Sequence, residues 1–343
     1  MIPAPYLLYL GGETDALSVK TSRGLAQWRP DSCVGQYRTH SGAISLGLPD
    51  LTFAEAVRRG ARTLVLGIAN AGGVMSPALV TDAIAAVEAG LNLASGLHAR
   101  LRDQPAIKSA AEEHGRKLFD VRDPPPVLPI GKGYRRPGHR LLTVGTDCSV
   151  GKMYTTLAIE RRMHELGIAA DFRATGQTGI LIAGSGIPVD AVVADFIAGS
   201  VEHLAPGRGD GGWDLIEGQG SLFHPSFAGV SLGLLHGAQP DVIVLCHEPG
   251  REHMRGLRGR PLPPLDVCLR ANLEAAKLTS SEVVCAGVAL NTASLSPADA
   301  RRACADVAAS LGLPCQDPVR DGVAQIVDQV LKIAPAAVSG RPS

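Results

Sequence analysis

The sequence predicts an α/β protein made of two parallel-sheet domains in series. Three observations carry this reading. Short apolar runs alternate with helix-period segments along nearly the whole chain. A proline- and glycine-rich stretch interrupts the alternation at 124–138. Immediately beyond it, the apolar run Leu141-Leu142-Thr143-Val144 leads through a glycine-bounded loop into a helical pattern at 155–166.

In the first domain, residues 1–123, apolar runs at 6–10, 63–68, 91–95 and 117–120 alternate with helical patterns at 53–59, 81–89 and 106–114. That rhythm suits a parallel sheet with helical crossovers. Gly11-Gly12 and Asn70-Ala71-Gly72-Gly73 fall at strand ends, where such sheets place ligands. No GxGxxG is present, so a dinucleotide site is only weakly indicated, and tight turns are the plainer reading of these glycines. The linker holds Pro124-Pro125-Pro126, Pro137-Gly138 and the basic residues Lys132, Arg135 and Arg136, and continues neither a helix nor a central strand. In the second domain, 139–334, strands are expected at 141–144, 169–174, 191–194, 213–217, 242–246 and 283–290. Helices are expected at 155–166, 195–204, 272–278 and 297–311, and 335–343 reads as a flexible tail.

Composition narrows the function classes. The chain has 343 residues, 45% of them hydrophobic and 19% charged, enough for two sizeable cores. Basic and acidic residues both number 33, which removes a global electrostatic case for nucleic acid or an anionic membrane. The seven cysteines are scattered without a CxxC pair, as expected of reduced thiols in a cytoplasmic protein, and His, Cys and Glu show no metal-ligand spacing. The first ten residues lack a basic n-region, so no signal peptide is expected. No run approaches ~20 apolar residues, so no membrane span is expected either.

The loop Gly145-Thr146-Asp147-Cys148-Ser149-Val150-Gly151-Lys152, followed by Met153 and Tyr154, is the strongest chemical signal. Backbone N–H groups, a helix N-terminus and a lysine together make a phosphate cradle. Mg²⁺-dependent nucleotidases carry Ser or Thr after the lysine; Met153 offers a thioether, which is a poor ligand for a hard cation. The cradle is therefore expected to hold phosphates with no metal. Cys148 lies near the helix N-terminus, which should lower its pKa. It could carry an acyl group, although loop packing is the plainer role.

Four further segments lie at expected strand ends. Arg173-Ala174-Thr175-Gly176-Gln177-Thr178-Gly179 offers a guanidinium, hydroxyls, an amide and N–H groups to a carboxylate, so Arg173, Thr175, Gln177 and Thr178 are candidate substrate-binding residues. Asp190 and Asp195 flank the run 191–194; Asp190 is a candidate substrate contact, and Asp195 is a candidate base or simply a helix N-cap. Glu217, before Gly218-Gln219-Gly220-Ser221, is the first candidate general base, with a solvated turn as the alternative. His247 precedes Glu248 and Arg251 and is as readily structural as functional. Asn291 and 317–321 close the later strands.

The form GTDxxVGK resembles the phosphate loop of dethiobiotin synthetases, a branch of the P-loop proteins. The EGxG element at Glu217 is similar to one whose glutamate helps those enzymes hold Mg²⁺, and by the same resemblance Asn291 and 317–321 fall where a base is recognised. Val19-Lys20-Thr21, Gly67-Ile68-Ala69-Asn70-Ala71-Gly72-Gly73, 89–98, GTDCSVGK, 190–199 and Glu217-Gly218-Gln219-Gly220-Ser221 together resemble a two-domain bacterial family over about 5–333. That family, long described only as a domain of unknown function, joins a Rossmann-like domain to a dethiobiotin-synthetase-like P-loop domain. Within it, the chain is similar to the D-glutamate N-acetyltransferases. The resemblance implies acetyl transfer from acetyl-CoA, as co-substrate, to the amine of D-glutamate, an acidic D-amino acid, giving N-acetyl-D-glutamate that a partner dehydrogenase then oxidises. A homo-oligomer is expected. Two rivals stand beside it: an ATP-dependent ligase or carboxylase-like enzyme with Glu217 and Asp147 on Mg²⁺, and a CoA- or nucleotide-sensing module without turnover.

Overall fold

A computed structural model of the protein describes residues 2–15, 18–68 and 75–334. It divides into two compact units, Met1–Pro124 with Gly176–Pro188, and Pro125–Thr175 with Val189–Ser343. The expected glycine turn at Asn70-Ala71-Gly72-Gly73 and the expected tail 335–343 lie outside the described residues.

The first unit holds β1 (Tyr6–Gly11), β2 (Cys33–Arg38), β3 (Thr63–Leu66), β4 (Asn92–Ser95) and β5 (Leu118–Asp120), all parallel, in the order β2-β1-β3-β4-β5. Its core is aliphatic: Leu7, Leu64, Leu66, Leu91 and Leu93 are wholly or almost wholly buried beneath Leu79, Ala83 and Ile107 from the crossover helices. Burial on both faces is why β1 and β3 read as continuous apolar runs. The edge strand β2 mixes Gln36 and Arg38 with Val34 and Tyr37, so its sequence gives no such run. Gln36 is nevertheless buried and donates to Ser45 Oγ at 2.9 Å and Asp50 Oδ1 at 2.8 Å.

The second unit is a parallel six-stranded sheet. Its strands are β6 (His139–Gly145), β7 (Ala170–Arg173), β8 (Trp213–Ile216), β9 (Val242–His247), β10 (Val284–Leu290) and β11 (Cys315–Gln316), in the order β11-β10-β9-β6-β8-β7. The strand expected at 191–194 does not exist. Val189–Ala191 and Ala194–Phe196 are short 3₁₀ turns, and Val193 is exposed rather than paired with a neighbour. The helix expected from 195 begins at Ile197, and no side chain caps it, so Asp195 is not its N-cap.

The proline-rich stretch is no free tether. The Arg136 guanidinium donates to the carbonyls of Gly237 (2.7 Å) and Ala238 (3.0 Å), and the Lys132 and Gly133 N–H groups donate to the Glu202 carboxylate. All seven cysteines are free thiols. Among the described residues, no helix is long and apolar enough to cross a membrane.

Candidate active site

The second sheet reverses its winding at β6, with β8 and β7 on one side and β9, β10 and β11 on the other. Strand C-termini at such a reversal form the usual ligand crevice, and the loop 145–152 occupies it. Ser149 (φ 55°) and Gly151 (φ 101°) adopt left-handed backbone, turning successive N–H groups toward one concave side. The 14-residue helix Lys152–Glu165 starts with no side-chain cap, so its first N–H groups add to an anion site.

Lys152 is 6% exposed, and its ammonium donates to the carbonyls of Asp147 and Gly220, each at 2.8 Å. Burial pulls its pKa down, against the upward pull of Cys246, Cys148, Asp147 and Glu217. Asp147 is fully buried; one carboxylate oxygen accepts from Arg251 at 2.9 Å and from the Arg255 N–H at 2.7 Å. Thr146 Oγ1 lies 3.0 Å from His247 Nδ1. The His247 pKa is pushed down to about 4, chiefly by burial and further by Arg251, so the ring is neutral at pH 7.

Glu217 closes β8 and is 4% exposed. Its carboxylate accepts from the Thr175 N–H (2.9 Å) and from Gln219 Nε2 (3.2 Å), while Thr175 Oγ1 donates to the Glu217 carbonyl at 2.6 Å. The structure thus brings two of the sequence candidates together, Thr175 and Glu217. Gly218 must be glycine, because a Cβ there would sit 1.7 Å from the Thr143 carbonyl oxygen. Tyr154 and Asn291 line a cleft with Val150, Gly151, Asp317 and Val319, next to the start of the helix. The Asp317 carboxylate is itself consumed by the N–H groups of Thr292, Val319 and Arg320, so it shapes the cleft rather than reaching into it.

Other candidates lie elsewhere. Arg173 is bound to the buried Asp214 (2.6 Å) and to Asp171 (3.3 Å), so the carboxylate grip expected of it is already occupied within the fold. Gln177 and Thr178 open the helix Gln177–Ala183, which groups with the first unit, where Thr178 Oγ1 meets Thr21 Oγ1 at 3.0 Å. The expected binding segment is therefore divided after Thr175. Asp190 and Asp195 lie exposed in the 3₁₀ turns. The expectation of a lowered Cys148 pKa is also corrected: burial raises it, outweighing the pull of Lys152, Arg255 and Arg251.

Sequence reasoning gave no role to three neighbours of the loop: His224, Arg251 and Arg255. A hint was present in the spacing, since Arg251 follows the strand-end His247 by four residues and Arg255 by eight. His224 also corrects the expectation that metal-type residues do not cluster, because donor atoms of Asp147, Cys148 and His224 lie within 4.8 Å of one another. The trio nonetheless fits a metal poorly. His224 Nδ1 accepts from the Ser226 N–H (3.2 Å), and Nε2 faces the Arg255 carbonyl (3.1 Å) as donor, so neither ring nitrogen has a free lone pair. The loop also lacks the hydroxyl that other phosphate loops offer Mg²⁺, since Met153 supplies no oxygen, while one buried Asp147 oxygen has no partner.

A phosphate cradle at the switch point of one parallel sheet, joined to a second doubly wound parallel sheet, defines a two-unit protein with a P-loop domain. Profiles described as the P-loop and Rossmann-like domains of a domain of unknown function, DUF1611, match residues 129–327 and 32–124. The chain belongs to the DUF1611 family. It is 49% identical over 326 residues to a D-glutamate N-acetyltransferase of Pseudoalteromonas sp, covering 95% of this chain and 98% of that one. It is 48% identical over 333 residues to a D-glutamate N-acetyltransferase of Tritonibacter scottomollicae, covering 97% and 100%. The crystal structure of a DUF1611 family protein from Anabaena variabilis superposes with a TM-score of 0.86 at 33% identity, covering 96% of this chain and all of that one.

Proposed function

We propose that the protein transfers the acetyl group of acetyl-CoA to the amine of D-glutamate. The near-full-length similarity to two proteins named for that activity supports the reaction. The observation that carries the donor is the loop itself, a cradle of N–H groups and a buried lysine with Met153 where a metal-binding hydroxyl would stand. Acetyl-CoA brings phosphates that must be held but not cleaved, and such a loop suits holding. Its nucleotide end would lie in the cleft of Tyr154 and Asn291.

Transfer requires the α-ammonium to lose a proton, its nitrogen to attack the thioester carbonyl, and the CoA thiolate to leave the tetrahedral intermediate. Glu217 is the group proposed to take that proton. It is buried at a strand end beside Thr175, whereas Asp195 sits on an exposed turn. N–H groups of the glycine turns would face the developing oxyanion. The test is release of CoA thiol by purified protein given acetyl-CoA and one amino acid at a time. D-glutamate should support turnover well above apolar amino acids. Thiol release equal for all of them, or turnover only with ATP, would contradict this reading.

A further inference from the structure

The Arg251 guanidinium touches the phosphate loop at three places. One nitrogen donates to Asp147 Oδ2 (2.9 Å) and to the Cys148 carbonyl (2.7 Å), and the other donates to the Ser149 carbonyl (3.2 Å) and to Glu248. Because a trans peptide points its C=O and N–H in opposite directions, fixing the Cys148 and Ser149 carbonyls aims the Ser149 and Val150 N–H groups away from Arg251. Arg255 supports the same arrangement: its N–H donates to Asp147 at 2.7 Å, and its guanidinium meets Ser149 Oγ. Asp147, fully buried, is the anchor, and only its second oxygen lacks a partner. Beside that oxygen, the Met153 thioether offers Mg²⁺ no ligand.

We propose that Arg251, anchored on Asp147, braces the phosphate loop in its binding shape. It is a positioning residue that presets the loop N–H groups, so that the diphosphate of a CoA-type donor binds to them without metal. The identity of the donor rests on the reading above; the brace does not. A guanidinium suits the task because its planar fork reaches Asp147 and the Cys148 carbonyl from one nitrogen and the Ser149 carbonyl from another, whereas the donors of an ammonium radiate from a single point.

Calorimetric titration of the full-length protein with CoA, ADP and inorganic pyrophosphate, in chelator and then with Mg²⁺, tests this. Metal should change each Kd by less than about threefold. Arg251→Ala should weaken CoA roughly ten- to hundredfold and raise the KM for acetyl-CoA by a similar factor, leaving the KM for the amino acid unchanged. Arg251→Lys should not restore binding. Should the alanine variant fail to fold by circular dichroism, the lysine variant and the metal arm on the unmodified protein decide. Tightening by Mg²⁺ of about tenfold or more, full affinity in Arg251→Ala, or full rescue by Lys would each overturn the proposal. Metal-free binding of ADP or pyrophosphate without binding of CoA would keep the brace and sink the acetyl-CoA reading. Binding of none of the three would sink both.

Discussion

At the edge strand β7, Arg173 and Arg208 meet Asp171, Asp210 and Asp214. At the phosphate loop, Arg251 and Arg255 meet one buried carboxylate, Asp147, together with Glu248, and otherwise hold main-chain carbonyls and a hydroxyl. In the first cluster three carboxylates balance two guanidinium groups; hydrogen bonding to Asp210, ahead of that to Asp171, pushes the Arg208 pKa up. Nothing there is left to bind an anionic ligand. In the second cluster the arginines organise a loop whose own N–H groups stay open on the far side. An arginine near a strand end is thus not evidence of a ligand site until its partners are known. Arg173 is spent on Asp171 and Asp214, whereas Arg251 is bound to the loop itself.

Substitutions can break this contrast. The largest effect is expected at Glu217. Glu217→Gln keeps the shape and removes the base, so kcat should fall roughly 10²–10⁴-fold with acetyl-CoA affinity intact. A near-wild-type kcat in steady-state assays would exclude Glu217 and leave a bound water or another carboxylate to be tested.

Asp214→Ala removes the shared partner of Arg173 and Arg208, and should cost about 3 kcal/mol of stability in urea unfolding while both KM values hold. A raised KM for the amino acid with stability unchanged would return Arg173 to the substrate site.

A smaller effect belongs to His247. Its folded pKa of about 4 lies below the ordinary 6.5, so the unfolded chain takes up the proton first as pH falls. The stability this neutral ring contributes is therefore present above pH 6.5 and lost as pH drops toward 4, by about 2–3 kcal/mol. His247→Gln should flatten that part of the stability–pH curve. Identical curves for the two proteins would show that the ring titrates normally.

The smallest effect is expected at Cys148. A thiol whose pKa is raised by burial is a poor nucleophile, so Cys148→Ser should keep kcat within a fewfold. Loss of turnover together with an acetylated Cys148 in the wild type, seen by mass spectrometry, would establish a covalent route instead.

The two parallel sheets were legible in the sequence because their central strands are buried on both faces, as in Leu141-Leu142 and Val242-Ile243, and the loop because glycine and lysine mark its turn. Other features were hidden for physical reasons. β2 is an edge strand with a polar residue at Gln36, and β11 is only two residues long. The helix Ala228–Ala238 contains Leu232, Leu234 and Leu235 among glycines and shows no clear polar face. The Asp190–Asp195 run carried valines that suggested a strand, but no neighbouring strand pairs with it. Arg251 sits 104 residues from Asp147, a separation that local pattern cannot bridge.

The most direct measurement is the initial rate of thiol release from acetyl-CoA with D-glutamate, in protein stripped of divalent ions and again after Mg²⁺ is restored. A loop that holds its donor with Lys152 and a braced set of N–H groups should give the same kcat and the same KM for acetyl-CoA in both. Activity that vanishes in chelator and returns with Mg²⁺, or that appears only when ATP is added, would contradict that picture and favour a metal-dependent ligase.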